Sequence, residues 1–298
     1  MGNIFVPVDD ELFSTLAIGT PEFPFARFHD NLDNFASGFV NWHKQQQIEI
    51  SYVIEGSVRA CLFDKDFIVK KGEFFLILPD AFHSVQPIDN FPGKYETIIF
   101  DPSIIIGFSR SFIEKNLYQP VVNGNQKIYT FSDTLAYPKI FVLLQEIFST
   151  DSVEGQHAKL KLQQELQQLW LLLFETIFET NEPEAVVSQD LRILEMIEYL
   201  RKNYQTKYSL SDLAMHMNLS RGECCRYFKK RMRMTISDYL LEYRIGKACE
   251  LLKNTQKRIT EIAHEVGFES ASNFSMLFQK KTGKTPKEYR KIREFNIE

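Results

Sequence analysis

The sequence predicts an α+β multidomain chain: an N-terminal β-barrel or jelly roll, a helical connector, and a C-terminal all-α domain holding two helix-turn-helix units. Three observations carry this. One pattern occurs twice within residues 209–290, apolar residues alternate at strand spacing through the first hundred positions, and charge divides unequally between the two ends. The expected boundaries are 1–110 for the barrel, 111–189 for the connector with its linker, and 190–298 for the helical domain.

The first hundred residues supply the β domain. Ile48, Ile50, Tyr52 and Ile54 alternate with Glu49, Ser51 and Val53, and Glu55-Gly56-Ser57 turns the chain into Val58–Phe63. Turns at Asp64-Lys65-Asp66, Lys70-Lys71-Gly72-Glu73 and Pro79-Asp80 separate the strands Phe67–Val69 and Phe74–Leu78, and Tyr95–Phe100 adds a late one. Short strands at such spacing fit a sandwich or barrel.

The connector reads as helix. Leu135, Ile140, Leu143, Leu144 and Ile147 share a face, and Gly155–Glu179 carries Leu162, Leu166, Leu169, Trp170, Leu173 and Ile177 at three- and four-residue steps. That stripe is expected to pack on the barrel, with a dimer interface as the alternative. Asn181–Glu184 ends the helix and Ala185–Gln189 is the linker.

In the C-terminal domain Leu213, Ala214, Ser220, Phe228, Thr235 and Tyr239 recur as Ile262, Ala263, Ser270, Phe278, Thr285 and Tyr289, offset by 49 before the turn and 50 after it. Ser209 caps a first helix with Asp212 three residues on. Asn218 and Gly267 sit at the turns, which need a residue tolerant of the left-handed conformation. Ser220 and Ser270 open second helices, Arg221–Lys230 and Ala271–Lys281, anchored by Phe228 and by Phe274 with Phe278. A long helix near Asp238–Lys253 joins the units, and Thr285-Pro286-Lys287-Glu288 caps the last helix.

The run Ser209–Ala214, the segment Arg226–Lys230, Ile262-Ala263 with Val266-Gly267-Phe268, and the ending Lys281–Arg290 resemble the AraC/XylS family of bacterial transcription regulators. Trp42-His43, Tyr52–Gly56, Lys71–Glu73, Ile77–Pro79 and His83-Ser84 resemble, more loosely, the cupin-like sensing domain of many such regulators. The resemblance implies a DNA-binding transcriptional activator or repressor with double-stranded DNA and a small-molecule effector as partners, the effector being a sugar or other metabolite. RNA polymerase contact, a homodimer and a cytoplasmic location are expected beside it. It also implies that the first recognition helix presents Arg221, Gly222, Cys225 and Arg226, and the second Ala271, Ser272, Asn273, Ser275 and Met276. Ser220, Lys229, Lys230 and Lys280 would reach phosphates, and Arg226 and Asn273 lead as readers of guanine and adenine. Gly222 has no side chain to read with, and Met276 stands where relatives commonly carry Arg.

Charge agrees independently. Residues 190–298 hold 22 Lys and Arg against 14 Asp and Glu, a net of +8, whereas residues 1–189 carry −12. A basic third is the footprint of phosphate binding, which the whole-chain pI near 6.0 conceals. Neither a signal-type start nor an apolar stretch able to cross a bilayer is read in the sequence. Cys61, Cys224, Cys225 and Cys249 form no zinc-type spacing, which fits a reducing compartment, and Cys224 is expected to pack inward.

Metal-holding cupins use histidines and a carboxylate, for which His43, Glu49 and His83 are the candidates here. Asn41 occupies one position of the usual His-x-His pair. The barrel is therefore read as a cavity without metal, cofactor or catalytic residues. Trp42, Tyr52, Phe74 and Phe82 would line its mouth, with His43, Tyr52 and His83 as ligand-binding groups. Two alternatives remain: a metal-dependent cupin enzyme fused to a DNA-binding module, and a DNA binder with no ligand.

Overall fold

The computed structural model describes residues 6–9, 12–35, 38–63, 65–88, 93–132, 138–149, 155–180 and 191–291. The expected linker at 181–189 and the chain start at 1–5 lie outside them. Among the described residues, nine strands form the N-terminal domain: β1 (Phe25–Asn31), β2 (Val40–His43), β3 (Ile48–Glu55), β4 (Ser57–Cys61), β5 (Asp66–Lys70), β6 (Phe74–Ile77), β7 (His83–Pro87), β8 (Lys94–Phe100) and β9 (Ile128–Phe131). They build two antiparallel sheets, ordered β1-β8-β3-β6-β9 and β2-β7-β4-β5. Gly56 and Gly72 turn the chain with φ of 72° and 86°, the left-handed region that a Cβ disfavours.

Both faces of the larger sheet are buried. Ile48 and Ile50 point outward into a core shared with helices, whereas Val53 on the other face joins the core between the sheets. Short helices α1 (Ser103–Ile106) and α2 (Gln119–Val122) precede β9, and α3 (Pro138–Ser149) and α4 (Gln156–Thr180) follow it. β9 pairs with β6, so the segment expected to be a helical connector also closes a sheet edge. The α4 stripe of Leu162, Leu166, Leu169, Trp170, Leu173 and Ile177 is buried against this sheet. Trp170 Nε1 donates to Leu117 O at 3.1 Å. The stripe is thus core of the chain itself and is not available for a dimer interface.

The C-terminal domain holds α5 (Leu191–Lys202), α6 (Leu210–His216), α7 (Arg221–Met232), α8 (Ile236–Asn254), α9 (Ile259–Glu265), α10 (Ala271–Thr282) and α11 (Pro286–Lys291). Each copy of the repeat has its own core. Phe228, Leu213 and Met232 pack with Ile193, Met196, Ile197 and Leu200 of α5, and Phe274, Phe278, Ile262 and Tyr289 pack with α8. No helix among the described residues is long and apolar enough to cross a membrane.

Candidate nucleic-acid interface and sensing pocket

The two turns repeat in atomic detail. Asn218 and Gly267 have φ of 52° and 88°, and the next residue donates back across the turn in both copies: Leu219 N to Ala214 O, and Phe268 N to Ala263 O, each at 2.9 Å. α7 opens on a capping box, with Glu223 N donating to Ser220 Oγ and Ser220 N to Glu223 Oε2. α10 opens with Ser270 Oγ accepting from Asn273 N.

With Cys224, Phe228 and Met232 turned inward, α7 presents Arg221, Gly222, Cys225, Arg226, Lys229 and Lys230 to solvent, beside an exposed Ser220. A Cβ on Gly222 would stand 3.3 Å from an Arg226 guanidinium nitrogen, so the glycine leaves that side chain room to lie along the helix. On α10, Ser272, Asn273, Met276 and Lys280 are exposed, while Ala271 and Ser275 are half-buried. Ser275 Oγ donates to Ala271 O at 2.8 Å, which commits its proton to the helix. The basic run at the C-terminal end of α7 divides. Lys229 and Lys230 stay exposed, but Met232 is core and Arg233 turns to the barrel, where Nη2 and Nε reach the Asp66 carboxylate at 3.1 and 3.3 Å.

Inside the barrel, β3 presents Glu49 and Ser51, both buried. His43 of β2 pairs across the sheet with His83 of β7, with ring centroids 4.3 Å apart. Each histidine donates its Nδ1–H to a carbonyl, His43 to Asn41 O at 2.8 Å and His83 to Ala81 O at 2.9 Å, which orients both rings and leaves Nε2 as the nitrogen not engaged with the backbone. His83 Nε2 is buried, has no hydrogen-bond partner, and lies 3.7 Å from Glu49 Oε2. Gln45 Nε2 donates to the same Glu49 oxygen at 3.0 Å, and Ser51 Oγ to the other at 3.2 Å. Burial, with the neighbouring His83 adding, pushes His43 down to about 3, so it is neutral at physiological pH.

The ligand atoms of His43, Glu49 and His83 lie within 4.8 Å of one another. Two imidazole rings each anchored through Nδ1, one carboxylate and an orphaned Nε2 suit a first-row divalent ion. Such an ion would supply an open Lewis-acid position. Asn41 has no part in this. Its side chain bonds both backbone groups of Val6, and Gln45 is the amide that reaches Glu49.

Tyr52 does not belong to the pocket. It shares a face with Ile48 and Ile50 and packs edge-on to Phe141 of α3, at 6.1 Å between centroids. Phe74 faces the same helix and stacks on Phe131. The period of two was right, but the apolar set of β3 faces the helices and the polar set faces the barrel. Trp42 and Phe82 leave the mouth as well. They stack at 5.3 Å, with Phe63 beside both, and bury against the first helix-turn-helix, where Trp42 Nε1 donates to Met232 O at 3.0 Å. A cleft of about 770 Å³ with Trp42 in its wall separates residues 6–9 and 12–16 from α8 and includes Tyr239, Tyr243 and Lys247.

A sensing barrel seated on a paired helix-turn-helix unit defines a ligand-binding, DNA-binding regulator. Residues 25–174 match the model of the AraC-like ligand binding domain and residues 213–292 that of a helix-turn-helix domain, and the chain belongs to the AraC-type transcriptional regulators. The uncharacterized HTH-type transcriptional regulator YdeC of Bacillus subtilis is 24% identical over 292 residues, 96% of this chain and 98% of that one. The arabinose operon regulatory protein of Escherichia coli is 24% identical over 228 residues, 76% and 74% of the two chains. Among solved structures, ToxT of Vibrio cholerae O395 aligns over 93% of this chain and all of its own with a TM-score of 0.41 and 13% identity.

Proposed function

We propose that this regulator reads a directional DNA site through the exposed faces of α7 and α10, and that an effector held at His43, Glu49 and His83 sets its affinity. The observation that supports this best is the repeated helix-turn-helix geometry with a polar, solvent-facing row on each second helix. Arg226 and Asn273 are the base readers. Ser220, Arg221, Lys229, Lys230 and Lys280 hold the backbone, with Gly222, Cys225, Ala271, Ser272 and Ser275 against the groove. A homodimer in the cytoplasm that contacts RNA polymerase completes the reading, and no reaction is assigned to the barrel.

Footprinting on the DNA upstream of its own gene, with and without candidate metabolites, tests it. Protection of two adjacent major-groove segments is expected, and uniform protection at every sequence would sink it. A second reading puts the effector in the cleft between the N-terminal segment and α8, because the Tyr239 hydroxyl in its wall is buried without a partner. Tyr239→Phe should then abolish the response and His83→Ala should leave it.

A further inference from the structure

The two pocket histidines are each preceded by an aromatic residue that faces the opposite way. On β2 the pair is Trp42-His43, and at the start of β7 it is Phe82-His83. His43 and His83 are cross-strand partners inside the barrel, while Trp42 and Phe82 stack outside it, on the last turn of α7. Alternation along β2 dictates the opposition of Trp42 and His43, and Phe82 enters β7 with the same relation to His83. Two backbone segments therefore carry the sensing groups on one side and the contact with the DNA reader on the other.

We propose that the His43–Glu49–His83 pocket takes a divalent first-row metal ion and that its occupancy is passed to the first helix-turn-helix through Trp42 and Phe82. The proposal rests on the DNA-reading function above and revises the metal-free cavity expected from the sequence.

The donor set is built for such an ion. Both Nδ1 protons go to carbonyls, so coordination falls to the two Nε2 atoms, of which that of His83 is buried with no hydrogen-bond partner. Gln45 holds the Glu49 carboxylate at the oxygen that faces His83, and Ser51 holds it at the other. The three ligand atoms are spread over up to 4.8 Å, whereas two bonds of about 2.1 Å to one ion span at most ~4.2 Å. The groups must close up to bind it.

Closure cannot stay local. His43 and His83 move with their strands, and the aromatic residues next to them in the chain, Trp42 on β2 and Phe82 just before β7, are packed without slack: Trp42 is 3% exposed and Phe82 8%. Close-packed interiors transmit displacement instead of absorbing it. The receiving element is the C-terminal turn of α7, gripped at Met232 O by Trp42 and at Arg233 by Asp66. An ion bound more tightly in one docking arrangement than in another shifts the reader toward that arrangement, and only by the difference in affinity.

The test uses the purified full-length protein, stripped with chelator and dialysed, and Co2+, Ni2+ and Zn2+ as the added ions. Calorimetry should find one ion per chain, and Co2+ should give a visible absorption band that His83→Ala and Glu49→Gln abolish. Anisotropy on the footprinted DNA should show affinity changing by roughly 5–150-fold when the ion is added. Trp42→Phe, which keeps the stack but loses the bond to Met232, and Phe82→Leu should both retain one ion per chain while the DNA response falls below about 3-fold. Absence of stoichiometric binding by any of the three ions overturns the proposal. Binding with unchanged DNA affinity overturns the transmission. If neither form recognises a specific DNA site, the function on which the proposal rests has failed, and the Co2+ band alone then decides the pocket.

Discussion

Arg233 and Gly283 occupy the same place in the two copies of the repeat: each closes its recognition helix in the left-handed conformation, with φ of 59° and 72°. Glycine adopts that conformation without strain, and arginine gives up about 1 kcal/mol to do so. The strain at Arg233 is offset by the Asp66 carboxylate across the domain boundary, at 3.1 Å. Both side chains are about one-quarter exposed, which limits the pair to about 0.5–1 kcal/mol. Arg233→Gly should leave the stability of the full chain within about 1 kcal/mol of the parent, because relief and loss nearly cancel. Asp66→Ala removes the bridge without relieving the strain and should lower stability by about 0.5–1 kcal/mol in urea titrations.

The second turn is the less forgiving. A Cβ on Gly267 would stand 2.3 Å from Tyr204 O, in a backbone already at φ 88°. Gly267→Ala should destabilise by at least ~2 kcal/mol. Asn218→Gly, at the matching position, should change stability by less than ~1 kcal/mol. Thermal melts of the two variants side by side distinguish these outcomes.

Substitution of the α4 stripe should unfold the sensing domain, not dissociate a dimer. Leu166 is fully buried and Trp170 is 2% exposed. Leu166→Ala should cost about 2–5 kcal/mol, and Leu166→Glu more, since it also buries a charge. Circular dichroism and sedimentation of each variant at one concentration separate loss of fold from loss of association.

The Asp30 contribution to stability should fall as pH rises from about 4 to 7, opposite in sign to that of the depressed His43, so it is read from a variant against its parent. Burial pushes the Asp30 carboxyl from its usual 3.8 up to about 7; Glu49 adds to this, and the hydrogen bond with Thr97 and the charge of His29 oppose it. In that window the unfolded chain releases the proton and the folded chain keeps it, so the folded state is progressively disfavoured. Asp30→Asn should stabilise by about 1–3 kcal/mol at pH 7.5 and by nothing measurable at pH 3.5. Equal shifts in Tm at both pH values would contradict this.

On DNA, Arg226→Ala should weaken specific binding by about 1–3 kcal/mol and relax preference at one base pair, while Lys229→Ala should weaken all sequences alike and reduce the salt slope by about one. Competition gel shifts at two salt concentrations check both.

The paired helix-turn-helix was legible because its determinants are local. Ser220 with Glu223, Thr285 with Glu288, and the left-handed Asn218 and Gly267 all act within a few residues. α5 was not picked out. Its partners Leu213, Phe228 and Met232 come from later in the chain. The barrel was legible as strands but not in its register. Every residue of β3 from Ile48 to Ser51 is buried, so hydrophobicity could not say which face met the helices, and Tyr52 was assigned to the wrong one. Strand β2 is four residues long with a register shift between Val40 and His43, and β9 is completed only by its pairing with β6. Such strands are specified by their partners more than by their own composition. Gln45 was missed because its function lies in a contact with Glu49, four positions on.

The grip on Arg233 has no counterpart at Gly283, which carries no side chain for a barrel to hold. The repeat is therefore a tandem and not a dyad. With the sensing domain fastened to the first copy, reversing the DNA site end for end carries that domain to the opposite flank. Inverting the site in a reporter should thus not be a silent change: it relocates about two-thirds of the polypeptide with respect to the start of transcription.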